Sequence, residues 1–267
     1  MLKVDCHAHI IDRHRFPFLR GTYQPTASDW NSVEEYLSTL NAHGVDQALI
    51  VQPTSAYDYD HACLLHALGV GEGRLRGIAR IRFDRIGVDA ALLDHPMITG
   101  ARADLLHDGA AAVGTAEFAQ LVDALAQRSM PLLVQSEREQ WTTIVPHLRD
   151  AGVPIVIDHC GRPEPNLGVS QPGFAAVLEL GRAGHFVKLS GVFRFSREAY
   201  PHADVDPYIA ALLEAFTPQR CLWGSDWPFL RFANRVQYSE TQRLVLRRIA
   251  DASPFDEAAR RLFGFSK

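Results

Sequence analysis

At 267 residues, 47% hydrophobic and 22% charged, the chain has the composition of a globular protein able to bury a large core, which excludes a disordered one. Its formal charge of −4, with arginines scattered singly rather than in runs, offers no basic stripe to a nucleic-acid backbone, so no nucleic-acid partner is expected. No segment reaches the roughly 18 consecutive apolar residues of a membrane span, and the opening Met1, Leu2, Lys3, Val4, Asp5 lacks the apolar run of a signal peptide; the expectation is a cytoplasmic protein with no membrane partner.

Residues 2–9 read as the first strand, and its end carries His7 and His9. Alternation along a strand puts both on one face, where two imidazoles can share a divalent metal or donate hydrogen bonds to one substrate oxygen. Ser32 and Glu35 then form a capping-box pattern ahead of Tyr36, Leu37 and Leu40, and Gly44 sits where that helix stops. Short apolar runs at 47–52, 75–81, 98–102, 132–135, 155–159, 186–190 and 221–225 read as further buried strands. Between them, Thr115 starts a helix whose Phe118, Leu121, Val122 and Leu125 share one face, and Asp206 with Pro207 opens another before Ile209, Leu212 and Leu213. Strand starts lie 23 to 45 residues apart, room for a crossover helix each time. The pattern predicts a single-domain (β/α)8 TIM barrel over residues 1–267, with closing helices from about 237, at 237–250 and 256–263, packed outside it.

In such a barrel the chemistry sits where the strands end. Those ends supply His7 and His9, then Gln52 with Thr54, Ser55 and Tyr57 beyond it, Arg102, Gln135, Asp158 to Arg162 with His159 among them, Lys188 to Gly191 with Arg194 beyond, and Ser225 with Asp226. Singly, His159 reads as a core histidine, Asp226 as a turn cap before Pro228, and the arginines as solvated charges. Three histidines, one aspartate and three arginines at one rim read together as an active site. The four cysteines, Cys6, Cys63, Cys160 and Cys221, show no CxxC spacing and read as reduced, buried small hydrophobes; Cys160 faces away from its neighbour His159.

These residues resemble the amidohydrolase superfamily: His7 and His9 its strand-one HxH, His159 its strand-six histidine, Asp226 its strand-eight aspartate. The stretches DHCGRP (158–163), KLSG (188–191) with Arg194, and WGSDWP (223–228) resemble the branch that contains 2-pyrone-4,6-dicarboxylate lactonase and sugar lactonases. The binuclear members' strand-four lysine and strand-five histidine have no counterpart here, where Arg102 and Gln135 stand, so a binuclear centre is not expected. His7, His9, His159 and Asp226 retain the ligands for one Zn²⁺ or Mn²⁺, while the lactonase branch includes members that work without metal, so the expectation is either no required cofactor or one divalent ion.

The resemblance implies hydrolysis of a lactone, with Asp226 as general base and His7, His9 and His159, or a metal they hold, polarising the carbonyl. Arg102, Arg162 and Arg194 are expected to bind a substrate carboxylate or hydroxyls, with Thr54, Tyr57 and Gln135 as further substrate contacts. A second strand-four arginine and a strand-five tyrosine of the dicarboxylate lactonase are missing, and Asp108 stands nearby, which disfavours a dianion. The competing expectations are a metal-dependent decarboxylase of the same superfamily and a non-catalytic carbohydrate- or acid-binding barrel. A homodimer is the form such barrels commonly take.

Overall fold

The computed structural model describes residues 2–266. Its strands are β1 (Val4–Ala8), β2 (Gln47–Val51), β3 (Leu75–Ala79), β4 (Ile98–Asp104), β5 (Leu132–Gln135), β6 (Ile155–Ile157), β7 (Phe186–Leu189) and β8 (Cys221–Trp223). They form one parallel sheet in sequence order, β1 to β8, with helices on its outer face: a single (β/α)8 barrel. The predicted helix starts are present. Ser32 and Glu35 cap the helix Val33–Ala42 reciprocally, and Thr115 accepts from the Phe118 amide at 3.2 Å to open Ala116–Ala126. No helix among the described residues is long and apolar enough to cross a membrane.

Barrel closure itself assembles the rim. Beyond β8, the Asp226 amide donates to the His7 carbonyl at 2.7 Å, and the His9 amide donates to the Trp227 carbonyl at 2.8 Å, so the segment carrying the aspartate is laced to the one carrying both histidines. The register of β1 on β2 slips between Asp5 and Ala8, a bulge that shifts the alternation. As a result Val4 and Cys6 pack in the barrel interior and His7 also points inward, while Asp5 turns out toward the helices. There the buried Asp5 carboxylate accepts from Tyr36 Oη and Tyr238 Oη at 2.9 Å each and from the Ser225 amide at 2.8 Å, tying β1 to two helices and to the exit of β8.

The C-terminal helix Ser253–Phe263 departs from the expected outside position. Its Ala258, Ala259 and Phe263 join Phe265 against the interior residues Val4, Leu49, Ile78, Leu133, Val156 and Leu222. Asp256 accepts from the Lys3 and Val4 amides at 2.9 and 3.1 Å, which fixes this helix at the N-terminal end of the strands. It plugs the bottom of the barrel, because small alanines let it approach an apolar interior that would otherwise meet water. The opposite end stays open for chemistry.

Candidate active site

The open end holds a cavity of about 830 Å³. Its walls include His9, Thr54, Arg102, Gln135, His159, Arg162 and Arg194, together with Asp58, Asp104, Arg20 and Arg231. Beyond β6 and β8 the backbone turns left-handed, with His159 at φ 53° and Asp226 at φ 65°. Left-handed backbone at non-glycine residues is costly, and its presence at both carries the imidazole and carboxylate inward over the barrel.

Beneath the cavity runs a buried hydrogen-bond chain. His9 Nδ1 lies 2.7 Å from the Val51 carbonyl, which only accepts, so Nδ1 carries the ring proton and Nε2 the lone pair. His7 Nε2, 3.2 Å from His9 Nε2, therefore donates to it, and His7 Nδ1 accepts from Lys188 Nζ at 3.1 Å. Lys188 also contacts Asp158 Oδ1 at 3.0 Å, and Arg102 Nε donates to Asp158 Oδ2 at 2.9 Å. Lys188 and Asp158 are both fully buried. Burial would raise the Asp158 carboxyl, but Lys188, His7 and Arg102 together hold it well below the usual carboxylate range. Burial, then the Lys188 charge, lowers His7 to about 4. His9 and His159 are pushed well below 6.5 by burial first and the His7 charge second. All three imidazoles are neutral near pH 7.

Asp226 is fully buried between two of them, its oxygens 4.0 Å from His9 Nε2 and 3.9 Å from His159 Nδ1. Arg194 grips the carboxylate with two nitrogens, NH2 at 2.9 Å from Oδ1 and Nε on Oδ2. His159 Nδ1 is paired with Ser190 Oγ at 3.0 Å. Gly191, at φ 57°, lies under this pair; a Cβ there would stand 2.5 Å from His159 Nδ1 and 3.1 Å from Asp226 Oδ2. No side chain fits at that point.

The structure thus gathers His7, His9, His159 and Asp226, and it brings Arg102, Arg162, Arg194, Thr54 and Gln135 to the cavity wall. Each arginine already has an acidic or amide partner: Arg102 has Asp158 and Gln135, Arg162 has Glu137 at 3.0 Å, and Arg194 has Asp226. Tyr57 is not brought there. It is buried, its ring against Phe18 and its hydroxyl donating to the Phe16 carbonyl at 3.4 Å, because the turn after β2 points this side chain down into the helix layer. Asp108 is engaged by the buried Arg80, and the carboxylates in the wall are instead Asp58 and Asp104. Sequence reading gave no role to Lys188, Asp158, Ser190 or Asp104. A lysine inside the apolar run of β7 was the available signal, since an unpaired buried lysine is not tolerated.

His7, His159 and Asp226 each bring one ligand atom to within 4.8 Å of the others, a set that could hold one divalent ion. The 3.2 Å between His7 Nε2 and His9 Nε2 also suits two ligands on one tetrahedral ion, for which about 3.3 Å is required. The set fits when the His7 proton sits on Nδ1, facing Asp158 Oδ1 at 3.4 Å, as in a carboxylate–histidine–metal arrangement. Donation from Lys188 to that same Nδ1 opposes this state, since it leaves the proton on Nε2.

The amidohydrolase family model matches residues 4–265. A 4-sulfomuconolactone hydrolase of Hydrogenophaga intermedia is 27% identical over 262 residues, 97% of this chain and 84% of the relative. A 2-pyrone-4,6-dicarboxylate hydrolase of Comamonas testosteroni is 24% identical over 238 residues, 84% of this chain and 76% of the relative. Among solved structures, a probable 2-pyrone-4,6-dicarboxylic acid hydrolase from Acinetobacter baumannii with citric acid bound superposes with a TM-score of 0.86 at 22% identity, covering 99% of this chain and 100% of that one. An amidohydrolase from Burkholderia multivorans with bound zinc gives 0.80 at 22% identity, with both chains covered fully. A 2,6-dihydroxybenzoate decarboxylase complexed with 2,6-dihydroxybenzoate lies further off, at 0.65 and 11% identity, with 99% of each chain covered. These three superpositions speak to the fold alone.

Proposed function

This chain belongs to the amidohydrolase family, and from that membership and the geometry of its cavity we propose that it hydrolyses a lactone of a small carboxylated or polyhydroxylated acid. The observation that carries the reading is Asp226 held between His9 and His159 beside a cavity with arginines in its wall. That relatives covering most of the chain are named lactone hydrolases supports the same chemistry.

In the proposed reaction Asp226 takes a proton from water as the water oxygen adds to the lactone carbonyl. In the His159 tautomer whose Nδ1 accepts from Ser190, the ring proton lies on Nε2, free to donate to the oxyanion that forms. The ring C–O bond then breaks, and the proton held by Asp226 passes to the departing oxygen, giving the open hydroxy acid. Arg194 covers the carboxylate in the free enzyme; a substrate anion that attracts part of its guanidinium exposes an Asp226 oxygen to water. Arg102 and Arg162 bind the remaining polar groups. A divalent ion held by His7, His159 and Asp226 would supply Lewis-acid polarisation of the carbonyl and a more acidic water.

The test is proton release at constant pH from a panel of lactones, with wild type and Asp226→Asn each assayed after chelation and after Zn²⁺ or Mn²⁺ addition. Asp226→Asn is expected to lose about 10²–10⁴-fold in turnover. Turnover that survives the substitution refutes Asp226 as base. Carbon dioxide release from a carboxylated substrate without ring opening would move the assignment to a decarboxylase.

A further inference from the structure

The turn that delivers His159 is left-handed through four consecutive residues: His159 at φ 53°, Cys160 at 57°, Gly161 at 72° and Arg162 at 45°. L-residues avoid this region because Cβ crowds the following carbonyl oxygen, and they enter it singly rather than in runs. Of the four, only Gly161 enters it freely. The turn's own bonds run from the Gly161 amide to the Asp158 carbonyl at 3.0 Å and from the Arg162 amide to the His159 carbonyl at 2.9 Å. Both span three residues and would form equally well in a right-handed turn, so they do not choose its hand. What chooses it lies outside the turn.

At the His159 end, Ser190 Oγ pairs with His159 Nδ1 at 3.0 Å, and the Ser190 carbonyl accepts from Cys160 Sγ at 3.8 Å. At the other end the Arg138 amide donates to the Arg162 carbonyl at 3.2 Å. Between them Trp141, fully buried on the helix Gln140–Leu148, donates from Nε1 to the Gly161 carbonyl at 2.8 Å. Gly161 is packed so closely that an added Cβ would stand 2.9 Å from Val177 and 3.5 Å from Trp141 Nε1. Turning the chain to right-handed geometry would swing the Gly161 carbonyl off the indole and leave a buried donor and a buried acceptor unpaired, the costly outcome for such groups. His159 and Arg162, at the two ends of the turn, both line the cavity. The hand of the turn therefore sets where one stands relative to the other.

We propose that Trp141 is a positioning residue for the reaction: through one hydrogen bond to Gly161 it holds the left-handed turn that presents His159 and Arg162 together, while itself touching no reacting atom. This rests on the lactone reading, in which His159 donates to the oxyanion and Arg162 binds a polar group of the substrate.

The experiment removes the indole proton. Trp141→Phe keeps an aromatic ring in place, and site-specific replacement of Trp141 by β-(3-benzothienyl)alanine, with sulfur where the N–H stood, keeps the whole bicycle and carries the test should Trp141→Phe fail to fold. kcat and KM are measured for a lactone that wild type opens, with each change alone and combined with His159→Ala. Alone, kcat is expected to fall about 10–100-fold, the scale for a reacting group displaced by about 1 Å, and KM to rise through Arg162. With His159 already alanine, the same change should leave kcat unaltered, because the group being positioned is gone. Equal losses of kcat with and without His159 would mean that position 141 acts on the fold as a whole, and they overturn the proposal; so does wild-type kcat in the folded variants. A second readout needs no turnover. Long-range ¹H–¹⁵N spectra of imidazole-labelled protein should show the His159 nitrogens shifted, while those of His185, at the opposite end of the barrel between the Ile155 amide and the Arg149 carbonyl, stay at wild-type positions. Signals that move at both histidines, or at neither, overturn the proposal. If wild type opens no lactone, the hydrolytic reading falls by itself and the spectra alone decide whether Trp141 sets the His159 turn.

Discussion

Replacing Lys188 by methionine should unlock the His7 proton. Lys188 and Asp158 are both fully buried and 3.0 Å apart, and Lys188 is also the group that donates to His7 Nδ1. Removing one partner of a buried pair ordinarily costs about 3–5 kcal/mol because the other charge is stranded. Here Arg102 stays on Asp158 Oδ2 at 2.9 Å, and His7 Nδ1 stands 3.4 Å from Oδ1, so the loss should fall near the lower end, about 3 kcal/mol. For a chain of this length that corresponds to a fall in Tm of about 6–12 °C. The specific consequence is a change of tautomer: without the ammonium, Nδ1 takes the proton and donates to Asp158, and Nε2 gains a lone pair. Long-range ¹H–¹⁵N NMR on imidazole-labelled protein reads this directly, as Nε2–H in wild type and Nδ1–H in Lys188→Met. The second readout is Zn²⁺ affinity by calorimetry, which should rise in the variant because a lone pair on His7 Nε2 replaces a proton. A wild-type His7 already protonated on Nδ1, or a variant with unchanged Tm, would refute the reasoning.

Three other substitutions or titrations test separate parts of the structure. Gly191→Ala places a Cβ 2.5 Å from His159 Nδ1 at a left-handed φ, so a loss of about 2–4 kcal/mol and a hundredfold fall in kcat/KM are expected from denaturation and turnover measurements; wild-type values would mean the ring has room to move. Acid should weaken the fold through His7: between pH 6.5 and about 4 the unfolded chain binds a proton that the folded one does not, so stability falls with pH, by roughly 3 kcal/mol at the lower limit. Asp5 and Asp256, raised by burial, act in the opposite sense, so the check is the difference in denaturation slope between wild type and His7→Gln, which should vanish above pH 7; identical slopes below it would contradict a neutral buried imidazole. Asp5→Ala orphans two tyrosine hydroxyls and the Ser225 amide and should cost about 3 kcal/mol or more, with kcat falling too because Ser225 precedes Asp226; a purely local cost would leave turnover intact.

What could be read from the chain in advance follows from what periodicity encodes. The spacing of apolar runs reports where strands lie and end, so the barrel and the rim carrying His7, His9, His159 and Asp226 were legible, while the bulge in β1 that turns His7 inward beside Val4 and Cys6 was not. Periodicity does not report which side chains from different strands meet. Lys188 and His7 are 181 positions apart, and no local pattern announces that the lysine sets the proton on the histidine. Asp104 escaped for a related reason. The charge of Arg102 looked like the end of an apolar run, yet β4 continues to Asp104, because Ala101 and Ala103 fill the helix-facing layer while Arg102 and Asp104 point into the barrel. A strand that alternates alanine with charge has polar groups on its inner face, and inner-face charges are stable only where partners or a ligand answer them. Arg102 has its partners in Asp158 and Gln135. Asp104 is met on Oδ2 by the Thr54 hydroxyl, fifty positions away, so what holds this inward charge lies outside any pattern the strand itself could show.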